Sequence, residues 1–254
     1  MKQTLRHSQI LKLLQIEEYL TVQDLENKLG ISQSTVRRDL KILSEKGLLE
    51  RLYNGARLAT SSSKTSNLWD LDSQNVNNNN EMKISIAKAA SLLLKPEESV
   101  MLSQGSTIFR LAKEICGLNL QILSNSFPLI HYLIENNHKN IIVLGGQYDQ
   151  NNEYTVPFGH INYSNYSAHY MFTTGSSLTK NGLYKTGNLS MLAENQMVDR
   201  VSKIVVLVDS SKVGLSIGMH FLPPKDIDII ITGKDADKNI INSLRKQGIE
   251  IILV

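Results

Sequence analysis

Between residues 6 and 58, apolar positions first recur at helical spacing and then fall into two short runs. Residues 6–18 are predicted to form a leading helix, because their apolar side chains repeat every three or four positions. Thr21 and Asp24 have the spacing of a capping box, which predicts the start of a second helix. Gly30 is placed to end that helix, because glycine adopts a positive φ at low cost.

A third helix is predicted from Ser32, whose hydroxyl can cap it, to Gly47. Its apolar stripe consists of Val36, Leu40 and Leu43. Its other faces carry small polar and basic side chains: Gln33, Ser34, Thr35, Arg37, Arg38 and Lys41. The pair Asn54-Gly55 then separates the runs LLERLY and ARL, which predicts a β-hairpin.

Two amphipathic helices and a hairpin also suit a plain α+β core with a solvated basic face. The combination of a glycine turn, a small polar helix start and an Arg-Arg pair instead favours a recognition helix in a DNA major groove, with the hairpin as a wing against the backbone. The predicted DNA-binding residues are Ser32, Gln33, Ser34, Thr35, Arg37, Arg38, Lys41, Arg51, Asn54 and Arg57.

Residues 59–80 are rich in Ser and Asn without periodicity and are predicted to be a linker between residues 1–58 and a second domain, 81–254. The Leu68-Trp69 pair within it is either a docking point or a short helical turn. From residue 81, apolar strands alternate with helices, which is typical of an open, mostly parallel α/β sheet covered on both faces. Strands are predicted at 99–102, 120–123, 140–144, 169–172, 203–208, 226–231 and 249–254, and helices at 83–94, 107–115, 127–135, 189–201 and 238–247.

Small, polar, glycine-rich loops follow five of these strands, where open α/β sheets bind ligands. One loop leads directly into a helix, whose free N–H groups favour an anion, and Lys212 adds a positive charge. Any single loop of this kind is ordinary helix capping. Five at one sheet edge predict a pocket for a sugar phosphate. Its predicted effector-binding residues are Gln104, Gly105, Ser106, Thr107, Ser124, Asn125, Ser126, Gly145, Gly146, Gly175 and Lys212.

Charge and composition add to this interpretation. Residues 1–58 contain 10 Lys/Arg and 7 Asp/Glu, so the whole net charge of +3 lies in the part predicted to bind DNA. The chain has no run of 18 apolar residues and no export signal, and a single cysteine, Cys116, fits a reducing compartment. A cytoplasmic protein is therefore expected. The six histidines lack metal-ligand spacing, so no metal site and no cofactor are predicted.

The segment SQSTVRRDLKILSEKGLLERLYNGARL resembles the winged helix-turn-helix of the DeoR family of bacterial transcription regulators. The C-terminal half resembles the sensor domain of that family, related in fold to ribose-phosphate isomerase and CoA-transferase-like enzymes. The motifs that carry this resemblance are Ser103 to Thr107, Ser124 to Ser126, and Asp209 to Gly214. The resemblance implies a homo-oligomeric repressor of a carbohydrate-metabolism operon that senses a phosphorylated sugar.

Several positions depart from the family pattern. Asn54 stands where the family usually has glycine, and Ser103 replaces the loop aspartate. By an ungapped count, Ser190 and Glu194 occupy the positions of a family glutamate and lysine, and Gly233 follows Thr232 where the family has aspartate. These changes alter several polar partners of a usual sugar-phosphate pocket, which predicts either an atypical effector or a partly degenerate pocket.

A second hypothesis is a sugar-phosphate isomerase-like enzyme with a DNA-binding-like N-terminal domain. Such an enzyme needs a general base near the phosphate loops. With serine at position 103, the candidates are Asp209, which is equally suited to cap a helix, and Glu194. Turnover of pentose and hexose phosphates would distinguish this enzyme from a regulator, for which none is expected.

Overall fold

The computed structural model describes residues 3–17, 19–45, 48–52, 55–58, 79–150, 152–159, 163 and 165–254. The chain separates into two compact units, Met1–Lys64 and Thr65–Val254. Gly47, Asn54 and the Leu68-Trp69 pair lie outside the described residues.

Amphipathic helices and short strands make up the described part of the N-terminal unit. In chain order these are α1 (Gln3–Ile16), β1 (Leu20–Thr21), α2 (Val22–Leu29), α3 (Gln33–Glu45), β2 (Leu49–Leu52) and β3 (Gly55–Leu58). The predicted capping box is present: the Asp24 amide donates to Thr21 Oγ1 at 3.0 Å, and the Thr21 amide donates to Asp24 Oδ2 at 2.9 Å. Gly30 ends α2 in the left-handed conformation at φ 63°, as predicted.

The core of this unit is formed by the predicted apolar stripes. Val36, Leu40 and Leu43 of α3 are buried against side chains of α1 and α2, including Leu14 and Leu25. Strand β3 pairs antiparallel with both β2 and β1, which confirms the predicted hairpin and adds a third strand to it. A helix followed by another across a glycine turn, then a β-hairpin, is the winged helix-turn-helix arrangement.

The C-terminal unit alternates strands and helices. Its described elements are α4 (Asn79–Ser91), β4 (Ser99–Leu102), α5 (Ser106–Ile115), β5 (Gln121–Ser124), α6 (Phe127–Glu135), β6 (Ile141–Val143), β7 (Gln147–Asp149), β8 (Tyr154–Val156), β9 (Ala168–Thr173), β10 (Ser177–Thr179), β11 (Gly182–Lys185), α7 (Asn188–Val198), β12 (Val201–Leu207), β13 (Met219–Leu222), β14 (Ile229–Thr232), α8 (Lys238–Lys246) and β15 (Glu250–Leu253). Short 3-10 turns cover Ser210–Lys212 and Pro224–Asp226. Among the described residues, no helix is both long enough and apolar enough to cross a membrane.

Seven of the described strands form one parallel sheet in the order β15-β14-β12-β9-β4-β5-β6. Its two faces carry separate cores. Val100 and Leu102 of β4 pack with α4, α5 and α6, whereas Met101 between them packs with α7 and α8. The predicted α/β class, with a parallel sheet covered on both faces, is therefore confirmed, and the C-terminal strand lies in the sheet.

Several element boundaries differ from the prediction. Helix α4 begins at Asn79, four residues before the predicted start and inside the predicted linker. Strand β14 begins at Ile229, because the preceding residues Pro224–Asp226 form a 3-10 turn. The sequence also failed to predict two small antiparallel sheets, β10-β11-β13 and β7-β8.

Candidate DNA-binding surface and effector site

The start of α3 presents small polar groups to solvent. Ser32 precedes the first residue of α3, and its hydroxyl lies 3.0 Å from Ser34 Oγ and 2.9 Å from Thr35 Oγ1. Arg37 and Arg38 follow and are exposed, as is Lys41 one turn later. The structure thus gathers the seven predicted α3 residues at the start and on the outer faces of one helix, which is the layout of a recognition helix.

Gln33 is tied to the neighbouring helix. Its Nε2 donates to Gln23 Oε1 at 2.8 Å and to Glu26 Oε2 at 2.9 Å, both on α2. These bonds fix the start of α3 against α2 across the Gly30 turn. To reach a base edge, the Gln33 side chain would first have to leave them.

Asp39 is the buried anchor of α3, a role that the sequence did not reveal. Its carboxylate accepts from Arg6 Nε and from Arg6 Nη2 at 2.9 Å, and it lies 3.0 Å from His7 Nε2. Burial opposes the charge of Asp39, but the bonds from Arg6 and His7 hold the pKa of Asp39 below its ordinary value. Asp39 therefore turns inward to α1 while the preceding arginines, Arg37 and Arg38, stay outside.

The wing depends on a close approach at Gly55. A Cβ placed on Gly55 would collide with the Leu20 carbonyl oxygen of β1 and lie 2.8 Å from the Tyr19 hydroxyl. Glycine is thus needed here for the close contact with β1. Asn54 and the side chains of Arg51 and Arg57 lie outside the described residues, so their part in DNA binding stays a prediction.

The loops of the predicted pocket meet at the carboxyl edge of the parallel sheet. From β4 the chain winds in one direction to β5 and β6, and from β9 in the other direction to β12, β14 and β15. The topological switch point of the sheet therefore lies between β4 and β9, where such sheets bind ligands. The loops after these strands approach closely, because a Cβ on Gly105 would lie 2.6 Å from Thr174 Cγ2.

The start of α5 is suited to an anion. Gly105 stands at the cap position with φ 133° and provides no side-chain cap, so the N–H groups of the first turn are left to a ligand or to water. Thr107, in that first turn, is buried, and its Oγ1 has no hydrogen-bond partner within the described structure. Thr174 Oγ1 across the switch point and Thr232 Oγ1 at the end of β14 share this condition. A buried hydroxyl without a partner is costly, so these groups mark places for a ligand or water.

Lys212 lies in the 3-10 turn after β12, with its Nζ 3.8 Å from Asp209 Oδ2. Burial lowers the pKa of Lys212; Asp209 counteracts this effect, and the positive charge of Lys83 on α4 adds to it. The Asp209 carboxylate also accepts from the Ser211 hydroxyl. Met82, the residue before Lys83, lies against Gly233 after β14, the strand paired with β12, so Lys83 and Lys212 belong to segments at one end of this edge. Of these two lysines, only Lys212 was predicted from the sequence.

The predicted SNS loop is occupied with internal bonds. Ser124 Oγ donates to the Leu102 carbonyl at 2.9 Å and accepts from the Ser126 amide at 3.2 Å. Asn125 Nδ2 donates to the Thr155 carbonyl of β8 at 2.7 Å. All three residues are buried, and these bonds join β4, β5 and β8. Their observed bonds are thus structural, and their effector contact stays a prediction.

The predicted glycines also serve the packing of the chain. A Cβ on Gly146 would collide with the Val156 carbonyl of β8, and a Cβ on Gly175 would lie 2.6 Å from Leu183 Cδ1 of β11. The Gly145 carbonyl accepts from the Tyr163 hydroxyl at 2.8 Å. These glycines let the two small antiparallel sheets lie against the carboxyl edge.

A buried ion pair lies beside the switch point. Lys185 Nζ of β11 is 2.6 Å from Glu194 Oε1 and 2.7 Å from Glu194 Oε2 of α7, and Thr173 Oγ1 donates to Glu194 Oε2 at 2.7 Å. Lys185 also lies over the Phe221 ring, 4.7 Å from its centroid. Burial lowers the pKa of Lys185, and Glu194 counteracts this effect.

The pair bears on the enzyme hypothesis, because it engages one of the two candidate bases. Glu194 is bound to Lys185 and Thr173, and Asp209 is bound to Ser211 and close to Lys212. Of the altered family positions, Ser103 is buried at the end of β4, Gly233 follows β14, and the Ser190 side chain lies outside the described residues. Within the described part of the chain, no group of three or more metal-ligating side chains converges.

Solved structures with partly similar folds include two sugar-phosphate isomerases. Ribose 5-phosphate isomerase A of Methanocaldococcus jannaschii matches with a TM-score of 0.42 and 20% identity, covering 53% of this chain and 55% of that one. The enzyme of Neisseria gonorrhoeae matches with a TM-score of 0.42 and 16% identity, covering 54% of this chain and 55% of that one. Both TM-scores are below 0.5, so neither similarity informs the function.

Family and full-length similarities are much stronger. Residues 6–62 match the DeoR-like helix-turn-helix domain, and residues 78–234 match the DeoR C terminal sensor domain. The HTH-type transcriptional regulators UlaR of Shigella sonnei strain Ss046 and Escherichia coli strain K12 / DH10B are each 42% identical over 255 residues, covering 100% of both chains. Because these relatives are named as regulators, the enzyme hypothesis is not favoured. The chain therefore belongs to the DeoR family and is a DNA-binding transcription regulator.

Proposed function

We propose that this regulator reads its operator with α3 and represses a carbohydrate-metabolism operon until a phosphorylated sugar binds at the carboxyl edge of the sheet. The observation that carries the effector half is the set of polar groups along the carboxyl edge from the switch point to β14: an uncapped helix start, two lysines and buried hydroxyls without partners in the described structure. A phosphate matches the helix start and the lysines, and sugar hydroxyls match the threonines.

The operator half rests on the exposed face of α3. We expect Ser32, Ser34 and Thr35 to reach base edges, and Arg37, Arg38 and Lys41 to contact phosphates. We propose that the protein acts in the cytoplasm as a homo-oligomer, because a pair of such heads would match a two-fold operator.

A route from effector to DNA follows from chain order. Helix α4 is the first described element after residues 59–78, and its Met82 lies against Gly233 at the end of β14. An effector that binds more tightly when α4 is in one position than in another would shift α4 toward that position. The start of α4 would then move, and with it the end of the connection that leads to the N-terminal unit.

The first test is fluorescence anisotropy of the full chain with a labelled duplex from upstream of its own gene, at fixed salt and with competitor DNA. The double variant Arg37→Ala/Arg38→Ala should bind at least about tenfold more weakly and reduce the salt slope by about two, since each arginine–phosphate contact contributes about one. The matched control is Arg245→Ala/Lys246→Ala, which removes two exposed basic residues from α8. Equal affinities of the two double variants would refute the assignment of α3.

A panel of sugar phosphates added to the same complex tests the effector. Release or tightening by one phosphosugar, and not by its dephosphorylated sugar, would support the proposal. Specific DNA binding that no phosphosugar alters would refute the effector half alone. Absence of specific binding, together with turnover of a pentose or hexose phosphate, would support the enzyme alternative instead.

A further inference from the structure

The first turns of α4 are held at the carboxyl edge of the sheet. A Cβ on Gly233, directly after β14, would lie 2.5 Å from Met82 Sδ. Asn80 Oδ1 accepts from Arg110 Nη2 of α5 at 2.9 Å. Residues 80–83 are thus placed between the end of β14 and α5, the helix whose uncapped start forms the anion site.

Lys83 follows Met82 and is half-buried. Its neighbour Met82 packs at the end of β14, and Lys212 follows β12, the strand paired with β14, so both lysines belong to segments at the same end of the edge. The charge of Lys83 accordingly contributes to the lowered pKa of Lys212. Two ammonium groups repel each other, and the repulsion grows as water is removed from around them. Within the described part of the chain, Asp209 is the carboxylate beside Lys212, at 3.8 Å, and Lys83 has no carboxylate partner. The Asp235 carboxylate also lies here, with its Oδ1 2.6 Å from the Cβ position of Gly233, so this end of the edge holds two lysines and two carboxylates.

Buried hydroxyls without partners lie at the same edge. Thr107 is 1% exposed in the first turn of α5, and Thr232 is fully buried at the end of β14, next to Gly233. The Oγ1 atoms of both residues have no hydrogen-bond partner in the described structure. A phosphate held between the α5 start and the lysines would offer an oxygen acceptor to Thr107, whereas a neutral sugar group would leave the repulsion between the lysines uncompensated.

We infer that Lys83 is a second cation of the effector's phosphate site and, together with Lys212, selects a phosphate dianion over a singly charged acid. This inference rests on the proposed function and adds a residue to the proposed phosphate site. Each lysine donates a charge-assisted hydrogen bond to the phosphate oxygens, and the α5 amides donate to the remaining ones. Residues from the first half and from the second half of the C-terminal unit's sequence therefore form the site together.

The test uses the full chain and the variant Lys83→Met, which removes the charge and keeps most of the apolar length. Its matched control is Lys88→Met, an exposed lysine of the same helix. Calorimetric titration with the phosphosugar that acts on the wild-type DNA complex, and with inorganic phosphate as a second probe, measures affinity. Lys83→Met should weaken both about tenfold or more, as the loss of one charge-assisted bond requires, and Lys88→Met should not.

Stability without ligand separates a binding role from a structural one. Because removing Lys83 relieves repulsion with Lys212, Lys83→Met should melt at the wild-type temperature or above it in phosphate-free buffer. A lower melting temperature for both Lys83→Met and Lys83→Arg would assign Lys83 to structure and overturn the inference.

Two further results would also overturn the inference, with different consequences. Unchanged affinity in Lys83→Met, with loss in Lys212→Met, would remove Lys83 from the site and leave the proposed function standing. If the wild-type protein responds to no phosphosugar, both the inference about Lys83 and the proposed phosphosugar effector are refuted.

Discussion

Replacing Glu194 by leucine removes the only anion that the described structure places on buried Lys185. The Lys185 and Glu194 side chains are 7% and 2% exposed, and Lys185 Nζ lies within 2.7 Å of both Glu194 oxygens. Removing one partner of a buried pair leaves the other charge uncompensated, at a cost of about 3–5 kcal/mol. For a unit of this size we expect the melting temperature to fall by about 10 °C.

The assay is urea unfolding followed by far-ultraviolet circular dichroism, for the wild type, Glu194→Leu, Lys185→Met and the double variant. The double variant should recover most of the loss, because an apolar pair of similar volume replaces both charges. The coupling free energy from this cycle measures the interaction itself. The slope of unfolding free energy against urea should stay constant across the four proteins.

The pH dependence of the variant has a defined sign. The pKa of Lys185 in the folded protein is below its ordinary value of about 10.5, so the unfolded chain binds more protons and stability rises with pH. Without Glu194 the pKa falls further, so the destabilisation of Glu194→Leu should be larger at pH 7 than at pH 10. A cost below about 1 kcal/mol at pH 7, or a double variant no more stable than Glu194→Leu, would refute the assignment of a buried charge pair.

Other substitutions test the remaining parts of both units. Asp39→Ala should destabilise the N-terminal unit by about 2 kcal/mol, because the charged hydrogen bonds from Arg6 are lost. Because the pKa of Asp39 is depressed, this difference from the wild type in urea unfolding should persist above pH 3.8 and vanish as the pH falls below it. Gly105→Ala should lower the free energy of unfolding by about 1–3 kcal/mol in a thermal melt, because φ at this position is 133° and the new methyl group would meet the loop after β9. It should also weaken phosphosugar binding, and wild-type affinity would contradict the close approach. Because the pKa of Lys212 is lowered, the phosphosugar affinity measured by titration should decline with rising pH at a lower pH than that at which an ordinary lysine loses its proton. An affinity that stays constant up to pH 10 would exclude Lys212 from the site.

Local sequence signals predicted the elements that local physics controls. The capping box at Thr21 and Asp24, the left-handed Gly30 and the strand at 99–102 are where the sequence predicted them. Capping and helical periodicity act within a few residues, so they are visible in a linear chain. The strands β10, β11 and β13 were missed because each has only three or four residues; β10 and β11 form a hairpin, and β13 pairs with β11 from a distant segment of the chain.

The predicted site shows the same division. Five polar loops located the carboxyl edge, since the order of apolar strands implies a parallel sheet and such sheets bind ligands there. The sequence could not tell which polar residues are used internally: Ser124 and Asn125 bond to backbone carbonyls, and Gly146 makes room for β8. Whether a polar group is free depends on its neighbours in space.

By itself, the sequence determined the helix-turn-helix, the α/β class, the family and the edge of the sheet where the polar loops lie, because these follow from local spacing and strand order. Tertiary structure alone decided the partners of the charged residues. Arg6 is 33 residues from Asp39, Lys83 is far along the chain from Lys212, and the pairing of Lys185 with Glu194 needs β11 and α7 to pack together. Electrostatic interactions depend on distance and burial, and neither is fixed until distant segments of the chain have packed.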